Sequence, residues 1–276
     1  MRSNRPEHLF TDSQFEQLCI YFTSITGNKL DASKRSLVES RLRRHIMNSG
    51  FKPESYLKLV RHDETENALF LSALTTHKTD WFRERIHFEF LKNVIRSAEK
   101  DSRQPKGRPW QIWSAACSTG EEVYTAGMVL LEAGISNFRI LGTDLSRACL
   151  SSANEGIYKR EIVERQVSPQ YRQQYFRRIN SSAGIVEYQI SDELKKRCKW
   201  RCLNLMHPSL PSKIMFDFVF LRNALIYFDA ETAHRVVGNV SHHLPFGGHL
   251  IVGLSETISK ADSLGLKRIE NSVYRK

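Results

Sequence analysis

The chain has 276 residues, enough for one large domain or two modest ones that each bury an apolar core. Hydrophobic residues make up 41% and charged residues 26%, which are the proportions of a soluble globular protein. No apolar run is long enough to span a bilayer and no signal-peptide core follows the first residues, so we expect a cytoplasmic protein without membrane insertion. The five cysteines are scattered and form no Cys-x-x-Cys pair, which predicts reduced thiols, no disulfide framework and no metal site.

The net charge of +11 favours an acidic partner, and two kinds stay open at this point. Basic proteins bind nucleic acid, but they bind acidic protein surfaces as well. The position of the charge along the chain therefore matters more than its sum.

Residues 1–75 are predicted to form an all-helical domain. Apolar residues recur at helical spacing over residues 10–25, and a second helix is expected from Asp31 to about Met47. Two shorter helices are expected at about 53–62 and 65–74.

The second predicted helix has two faces. Lys34, Arg41 and Arg44 fall on one side, opposite an apolar stripe that includes Leu42. This basic face has no obvious partner within the chain, which makes it a candidate docking surface. The commoner outcome for such a run is a solvated charged face, and that alternative stays open.

Residues 76–109 are predicted to link this domain to the rest of the chain. A polar connector with a Trp-Phe pair covers residues 75–84, and Phe88, Leu91 and Ile95 continue as a helix. Residues 100–109 are charged and broken by Pro and Gly, which predicts an exposed loop.

Strand and helix patterns alternate from residue 110 to 276, so we expect a mainly parallel sheet covered on both faces. Helices are expected at about 121–132, 147–154 and 231–243. The stretch 157–197 is too long for a plain crossover, and its strand pattern at 186–190 and helix pattern at 169–176 predict a small inserted subdomain. The predicted strands of the main sheet are residues 111–115, 138–142, 199–203, 216–221 and 249–254.

The turn after the first of these strands is the main functional signal. Small residues lead to Gly120, where a ligand can approach backbone N–H groups at a helix N-terminus. Glu121 and Glu122 follow, and carboxylates disfavour a phosphate but suit a ligand with hydroxyls or positive charge. S-adenosylmethionine is such a ligand, because its ammonium and sulfonium groups are positively charged. An ordinary strand-to-helix turn with capping residues is the competing interpretation.

Polar residues also end the second and fourth predicted strands. Asp144 stands 24 positions after Gly120, where an acid can accept hydrogen bonds from ribose hydroxyls, although it could instead cap the helix that starts near Ser146. Arg222 and Asn223 follow the fourth strand at the same predicted edge.

These blocks, taken in order, resemble the bacterial chemotaxis-receptor protein-glutamate O-methyltransferases of the CheR type. Any single block is weakly specific, but the ordered set runs from about residue 10 to residue 274. His77 stands where the family commonly has Asn, and Trp81 where it commonly has Phe. The matching blocks are residues 75–84 with 87–88, 114–122, 142–144, 154–158, 204–205, 216–217, 222–228, 247–248 and 255–256.

The resemblance implies an all-helical N-terminal domain, a linker, and a Rossmann-like class I methyltransferase sheet with a small antiparallel insert. It implies S-adenosyl-L-methionine as methyl donor, S-adenosyl-L-homocysteine as product, and glutamates on the cytoplasmic domains of methyl-accepting chemoreceptors as acceptors. Glu121 is favoured over Glu122 as the donor contact. The implied donor contacts are His77, Thr79, Arg83, Glu121, Asp144, Asn204, Leu205, Arg222 and Asn223.

Arg83 and Tyr227 are the candidates for steering the acceptor carboxylate, and we expect a monomer without a metal and without a nucleic-acid partner. Since a fold does not fix its acceptor, methylation of a nucleic acid or small molecule is one alternative. A non-catalytic protein that senses the donor and binds receptors is another. Against nucleic acid, the fourth strand ends in Arg-Asn-Ala-Leu, not in the Asn-Pro-Pro-Tyr type of sequence.

Overall fold

The structure is a computed structural model that describes residues 8–100, 107–181 and 184–276. The chain divides into two compact units. The first contains the residues up to Thr76 together with Tyr227–Thr232, and the second contains His77–Ile226 and Ala233–Lys276. Part of the predicted loop 100–109, residues 101–106, lies outside the described residues.

The first unit is built from α1 (Asp12–Thr26), α2 (Arg35–Ser49), α3 (Pro53–His62) and α4 (Glu64–Leu74). Its helices begin and end where local chemistry dictates. Thr11 and Gln14 form a capping box at the start of α1, and Gly27 ends that helix in the left-handed conformation with φ 73°. The prediction of an all-helical N-terminal region is confirmed.

The basic face of α2 has an internal partner, so the expectation of an unpartnered face is wrong for Arg41. The Arg41 guanidinium donates hydrogen bonds to the carbonyls of Ala73, Leu74 and Thr75 at 3.1, 3.3 and 3.1 Å. These carbonyls end α4, whose last turn carries no basic residue of its own. Lys34 and Arg44 are exposed.

The second unit contains two sheets. The strands, in chain order, are β1 (Trp110–Ser114), β2 (Phe138–Asp144), β3 (Ile157–Lys159), β4 (Phe176–Asn180), β5 (Val186–Ile190), β6 (Cys198–Cys202), β7 (Phe218–Leu221), β8 (His249–Val252), β9 (Lys267–Glu270) and β10 (Val273–Arg275). The remaining α-helices among the described residues are α5 (Ile86–Lys100), α6 (Glu121–Glu132), α7 (Arg147–Glu155), α8 (Arg160–Gln166), α9 (Pro169–Tyr175), α10 (Asp192–Lys195) and α11 (Ala230–Ser241). None of the helices in the described part of the chain is long and apolar enough to cross a bilayer.

The larger sheet has the strand order β6-β2-β1-β7-β8-β10-β9. The first five strands in this order are parallel, and β10 pairs antiparallel with both β8 and β9. On one side of β1 lie β2 and then β6, and on the other side lies β7, followed by β8. The order therefore reverses at β1, and the carboxyl ends of the five parallel strands share one edge, where α/β proteins bind ligands.

The inserted subdomain is a three-stranded antiparallel sheet of order β3-β5-β4. The mainly parallel sheet and the antiparallel insert are both confirmed. The sequence did not predict β3, β4, β9 or β10, because these strands are short or lack an alternating pattern. All four residues of β9 are exposed, and β3 has three residues.

Candidate functional site

The turn between β1 and α6 is held by backbone hydrogen bonds and needs residues without bulk. The amides of Ala115 and Cys117 donate to the carbonyls of Phe220 and Thr143 at 2.8 and 2.9 Å. Gly120 has φ 94°, and a Cβ atom there would lie 2.9 Å from both the Ala153 Cβ and the Trp200 ring. Glycine is therefore required by conformation and by space.

Asp144 joins this turn to the next helix. One carboxylate oxygen accepts the Ser118 amide at 2.8 Å, and the other accepts the Ser146 amide at 2.9 Å. Ser146 itself caps α7, since its hydroxyl accepts the Cys149 amide. A carboxylate can accept about four hydrogen bonds, so both Asp144 oxygens retain a lone pair for a ligand hydroxyl.

The two acids that begin α6 have different partners. The Thr119 hydroxyl donates to Glu121 at 2.7 Å, and the Ser114 hydroxyl donates to Glu122 at 2.7 Å. Burial raises the pKa of both carboxyls. Glu122 also accepts a hydrogen bond from Arg222, which commits it to a network within the protein. Glu121 as the donor contact stays a prediction.

Arg222 is a buried cation between two carboxylates. Its side chain is 1% exposed, and its nitrogens lie 2.9 Å from Glu122 and 3.0 Å from Glu84. The guanidinium also donates to the Arg83 carbonyl. Burial alone would raise the pKa of Glu84, but the charge and hydrogen bonds of Arg222 hold it below its usual range. Arg222 therefore fixes the connector to the start of α6.

His87 lies beside this network as a neutral group. Its Nε2 is 3.0 Å from the Ser272 hydroxyl, and its Nδ1 is 3.4 Å from Glu84. Burial and the Arg222 charge lower the pKa of His87 from 6.5 to about 4. Arg222 is thus the cation that neutralises Glu84 near neutral pH.

Glu256 organises the backbone that follows β7. Its carboxylate accepts four backbone amides: Gly253 and Asn223 at 2.7 Å, Leu225 at 2.8 Å and Ile226 at 3.3 Å. Glu256 is 6% exposed. Because these amides converge on a buried anion, Asn223 is held with φ 55°, a left-handed conformation that is rare outside glycine.

The connector is attached to the second unit along its length. The amides of Trp81 and Phe82 donate to the side chains of Gln166 and Thr125 at 2.9 and 3.3 Å. Arg83 is half-buried, and its guanidinium donates to the Lys78 carbonyl at 3.4 Å. Phe82 and Glu84 both have φ 54°, so backbone strain is concentrated here, as it commonly is at functional sites.

The loop after β6 is anchored on both sides. The Asn204 side chain accepts the Met206 amide at 3.0 Å, and Asn239 donates to the Leu205 carbonyl at 3.1 Å. Asn204 and Leu205 are half-buried, which leaves surface available to a ligand.

All nine predicted donor contacts belong to the second unit. They come from the connector and from the carboxyl ends of β2, β6 and β7, together with the first turn of α6. Tyr227 is placed differently. It is half-buried, belongs to the first unit, and its carbonyl accepts the Lys29 amide at 3.0 Å.

Glu84 and Glu256 have no role predicted from the sequence, although both hold the backbone at this edge of the sheet. Both stood inside recognised blocks, but an acid in a polar connector or after a strand has no pattern that reveals its partners. The position of Glu256, four residues after the last residue of β8, was the one available signal.

The sheet order and the glycine turn at its reversal point define the class of the second unit, a Rossmann-like α/β domain of the methyltransferase type. Comparison with known proteins makes this specific. The family model described as "CheR methyltransferase, SAM binding domain" matches residues 77–273, and the one described as "CheR methyltransferase, all-alpha domain" matches residues 13–75.

Relatives with similar sequences cover nearly the whole chain. A probable chemotaxis protein methyltransferase of Rhizobium etli is 38% identical over 91% of this chain and 95% of its own length. Chemotaxis protein methyltransferase 1 of Pseudomonas aeruginosa is 32% identical over 90% of this chain and 91% of its own. The chemotaxis protein methyltransferase of Borreliella burgdorferi is 32% identical over 91% and 89%.

The chain belongs to the CheR methyltransferase family. It is an enzyme that uses S-adenosylmethionine as methyl donor, which confirms the resemblance drawn from the sequence.

The Glu256 arrangement leads to a prediction. In Glu256→Gln an amide NH₂ group must face at least one backbone N–H, so buried donors lose their acceptor at a cost of about 1–3 kcal/mol. We expect a lower free energy of unfolding in urea and a raised Michaelis constant for the donor. Glu161→Gln, the same change at an exposed acid of α8, is the control and should alter neither quantity. Equal behaviour of the two variants would remove Glu256 from the site.

Proposed function

We propose that this enzyme transfers the methyl group of S-adenosyl-L-methionine to glutamate side chains on the cytoplasmic domains of chemoreceptors, which produces glutamate methyl esters and S-adenosyl-L-homocysteine. The observation that carries the proposal is the ordered match of both family models over residues 13–75 and 77–273. The names of the relatives, chemotaxis protein methyltransferases, support the acceptor class.

The donor binds at the carboxyl edge of the sheet in this proposal. Asp144 accepts the ribose hydroxyls, and Glu121 and the connector residues His77, Thr79 and Arg83 contact other parts of the donor. Asn204, Leu205, Arg222 and Asn223 complete the contacts. The positions of these residues at strand ends and in one connector support this assignment. The buried carboxylates around Arg222 give the site a negative character that favours a sulfonium ion.

The reaction needs alignment more than acid–base chemistry. A glutamate side chain has an unperturbed pKa of about 4.3, so it is an anion near neutral pH and needs no general base. A carboxylate oxygen attacks the methyl carbon, the carbon–sulfur bond breaks, and its electron pair stays on sulfur as a neutral thioether. Opposite charges disappear in this step, so a dry site that aligns the reactants lowers the barrier.

Arg83 and Tyr227 orient the acceptor carboxylate in this mechanism. Within the described part of the chain, the Arg83 guanidinium donates only to the Lys78 carbonyl, at 3.4 Å, and a loosely held cation can turn towards an anion. Since a tight ion pair would weaken the nucleophile, Arg83 orients the acceptor and does not neutralise it.

The acceptor is tested by transfer of a radiolabelled methyl group to receptor-containing membranes. We expect label on the receptor that is released as methanol in mild alkali, because carboxyl esters hydrolyse and methylated amines and bases do not. A receptor in which the candidate glutamates are changed to alanine is the matched control and should take up little label. Label that resists alkali, or that appears on nucleic acid, would contradict the proposal.

Asp144→Ala should weaken donor binding by about 1–3 kcal/mol, because it removes the half-buried carboxylate that accepts the ribose hydroxyls. Calorimetry with S-adenosyl-L-homocysteine measures this. Asp192→Ala removes the same charge from an exposed position at the start of α10 and should bind as the parent does. An Asp144→Ala protein that is folded by circular dichroism and binds with parental affinity would exclude Asp144 from the donor site.

Arg83→Ala and Tyr227→Phe should lower turnover at saturating donor and receptor while the folded fraction stays high. Each loses one group that positions the carboxylate, and misplacement of a reactant lowers the rate sharply. Arg85→Ala, a change at an exposed neighbour, is the control. Full turnover in either variant would assign that residue to packing alone.

The basic face is proposed to dock acidic receptor helices through Lys34, which lies in a 3₁₀ turn just before α2, and through Arg41 and Arg44 of α2. Because Arg41 also caps α4, reversing its charge would change stability and affinity together. Lys34→Glu with Arg44→Glu is therefore the informative pair, since both side chains are exposed.

We expect this pair to raise the Michaelis constant for receptor and to leave donor affinity unchanged. Added salt should reduce the difference, because exposed charges are screened over about 10 Å at 0.1 M. Lys52→Glu with Lys58→Glu makes the same change of net charge on and beside α3 and serves as the control. If both double variants methylate receptors equally well at low salt, the α2 face is only a solvated face.

A further inference from the structure

Three side chains with metal-binding atoms converge at the carboxyl edge of the sheet. A ring nitrogen of His77, a carboxylate oxygen of Asp144 and the thiol sulfur of Cys149 all lie within 4.8 Å of one another. His77 begins the second unit, Asp144 ends β2, and Cys149 is in the first turn of α7. Their spacing in the sequence gives no sign of this cluster.

The size and chemistry of the cluster suit zinc. Zinc binds nitrogen, oxygen and sulfur at about 2.0–2.3 Å, so two ligands of a tetrahedral ion are about 3.3–3.7 Å apart. Ligand atoms that are now up to 4.8 Å apart would therefore move about 1 Å closer on binding, which small side-chain rotations allow. A mixed set with thiolate and imidazole favours zinc over magnesium or calcium, which prefer oxygen ligands.

The backbone that carries these ligands is already fixed. The His77 carbonyl accepts the Ser118 hydroxyl at 3.0 Å, and the Cys149 amide donates to the Ser146 hydroxyl at 3.2 Å. The carboxylate of Asp144 accepts the Ser118 and Ser146 amides and keeps lone pairs for an ion. Cys149 is 6% exposed, and the other two ligands are half-buried, so an ion would be partly shielded from water.

We propose that His77, Asp144 and Cys149 form a Zn²⁺ site and that zinc and the methyl donor exclude each other, because Asp144 serves both. The second half of this statement rests on the proposed function. Binding involves no redox change: the imidazole and carboxylate donate lone pairs, the thiol releases its proton to solvent, and water fills the open fourth position. An Asn side chain at position 77 supplies no imidazole, so the site depends on this chain's histidine.

Direct binding is measured on the full chain without an affinity tag and with thiols kept reduced. Calorimetry with Zn²⁺ should give one equivalent per chain, with a heat that depends on the buffer because a proton is released. Co²⁺ should produce a sulfur-to-metal charge-transfer absorption. Absence of a stoichiometric site, or a Co²⁺ complex without the sulfur band, would overturn the proposal.

Two variants assign the ligands. Loss of an outer-shell partner alone lowers metal affinity by about 10- to 100-fold, so Cys149→Ser and His77→Asn should each lower zinc affinity at least tenfold. Cys202→Ser removes an exposed thiol that is outside the cluster and should bind zinc as the parent does. Circular dichroism checks that each variant is folded. Parental zinc affinity in both cluster variants would overturn the assignment. If Cys149→Ser does not fold, Cys149→Ala replaces it in the same measurement.

Competition tests the overlap with the donor. One equivalent of bound Zn²⁺ should weaken S-adenosyl-L-homocysteine binding in the parent and in Cys202→Ser, but not in Cys149→Ser. If zinc binds to the cluster and the donor still binds with unchanged affinity, the overlap is wrong. If the donor binds and zinc does not, the zinc site is wrong and the donor site stands.

Discussion

The second unit depends on one buried ion network, the Arg222 guanidinium between Glu84 and Glu122. Arg222 is almost fully buried, and a cation without partners there would be strongly destabilising. The network joins three parts of the chain: the connector, which supplies Glu84, the start of α6, which supplies Glu122, and the position after β7, where Arg222 itself lies. The network therefore specifies where the connector lies against the sheet edge, and it holds Glu84 in a left-handed conformation that a connector would not adopt by itself.

Glu256 also holds the backbone at this edge of the sheet, but its partners are neutral backbone amides. Its carboxylate collects four amides from the turns after β7 and β8. The segment after β7 is therefore held at its start by the ion pairs of Arg222, and along residues 223–226 by hydrogen bonds to Glu256. The carboxyl edge of the sheet thus carries strained backbone that is held by two sets of buried charged groups, and such preorganisation suits a reaction that depends on alignment.

Much of this architecture could be predicted from the sequence. The helices at 121–132 and 147–154 and the strand at 186–190 lie where the residue patterns predict them, because their apolar residues are buried. Burial covers nearly all sides of α6, and one face of α7 and of β5. The strands β9 and β10 could not be predicted, since all residues of β9 are exposed and β10 has only three residues. A helical wheel places Arg41 on the basic face of α2, but it does not show that the carbonyl end of α4 lies beside that face. The roles of Glu84, Glu256 and the His77–Asp144–Cys149 cluster depend on distances between remote segments, which spacing along the chain does not contain.

The division of the chain has a consequence for dissecting the enzyme. The polypeptide leaves the second unit after Ile226, contributes Tyr227–Thr232 to the first unit and then returns. The two units are therefore joined at three points of the chain, and one cut after Thr76 does not separate them. A fragment that begins at His77 would keep six residues whose neighbours had been removed. Exchange of the helical unit between relatives would have to carry this short segment with it, so such an exchange needs two pieces of chain and not one.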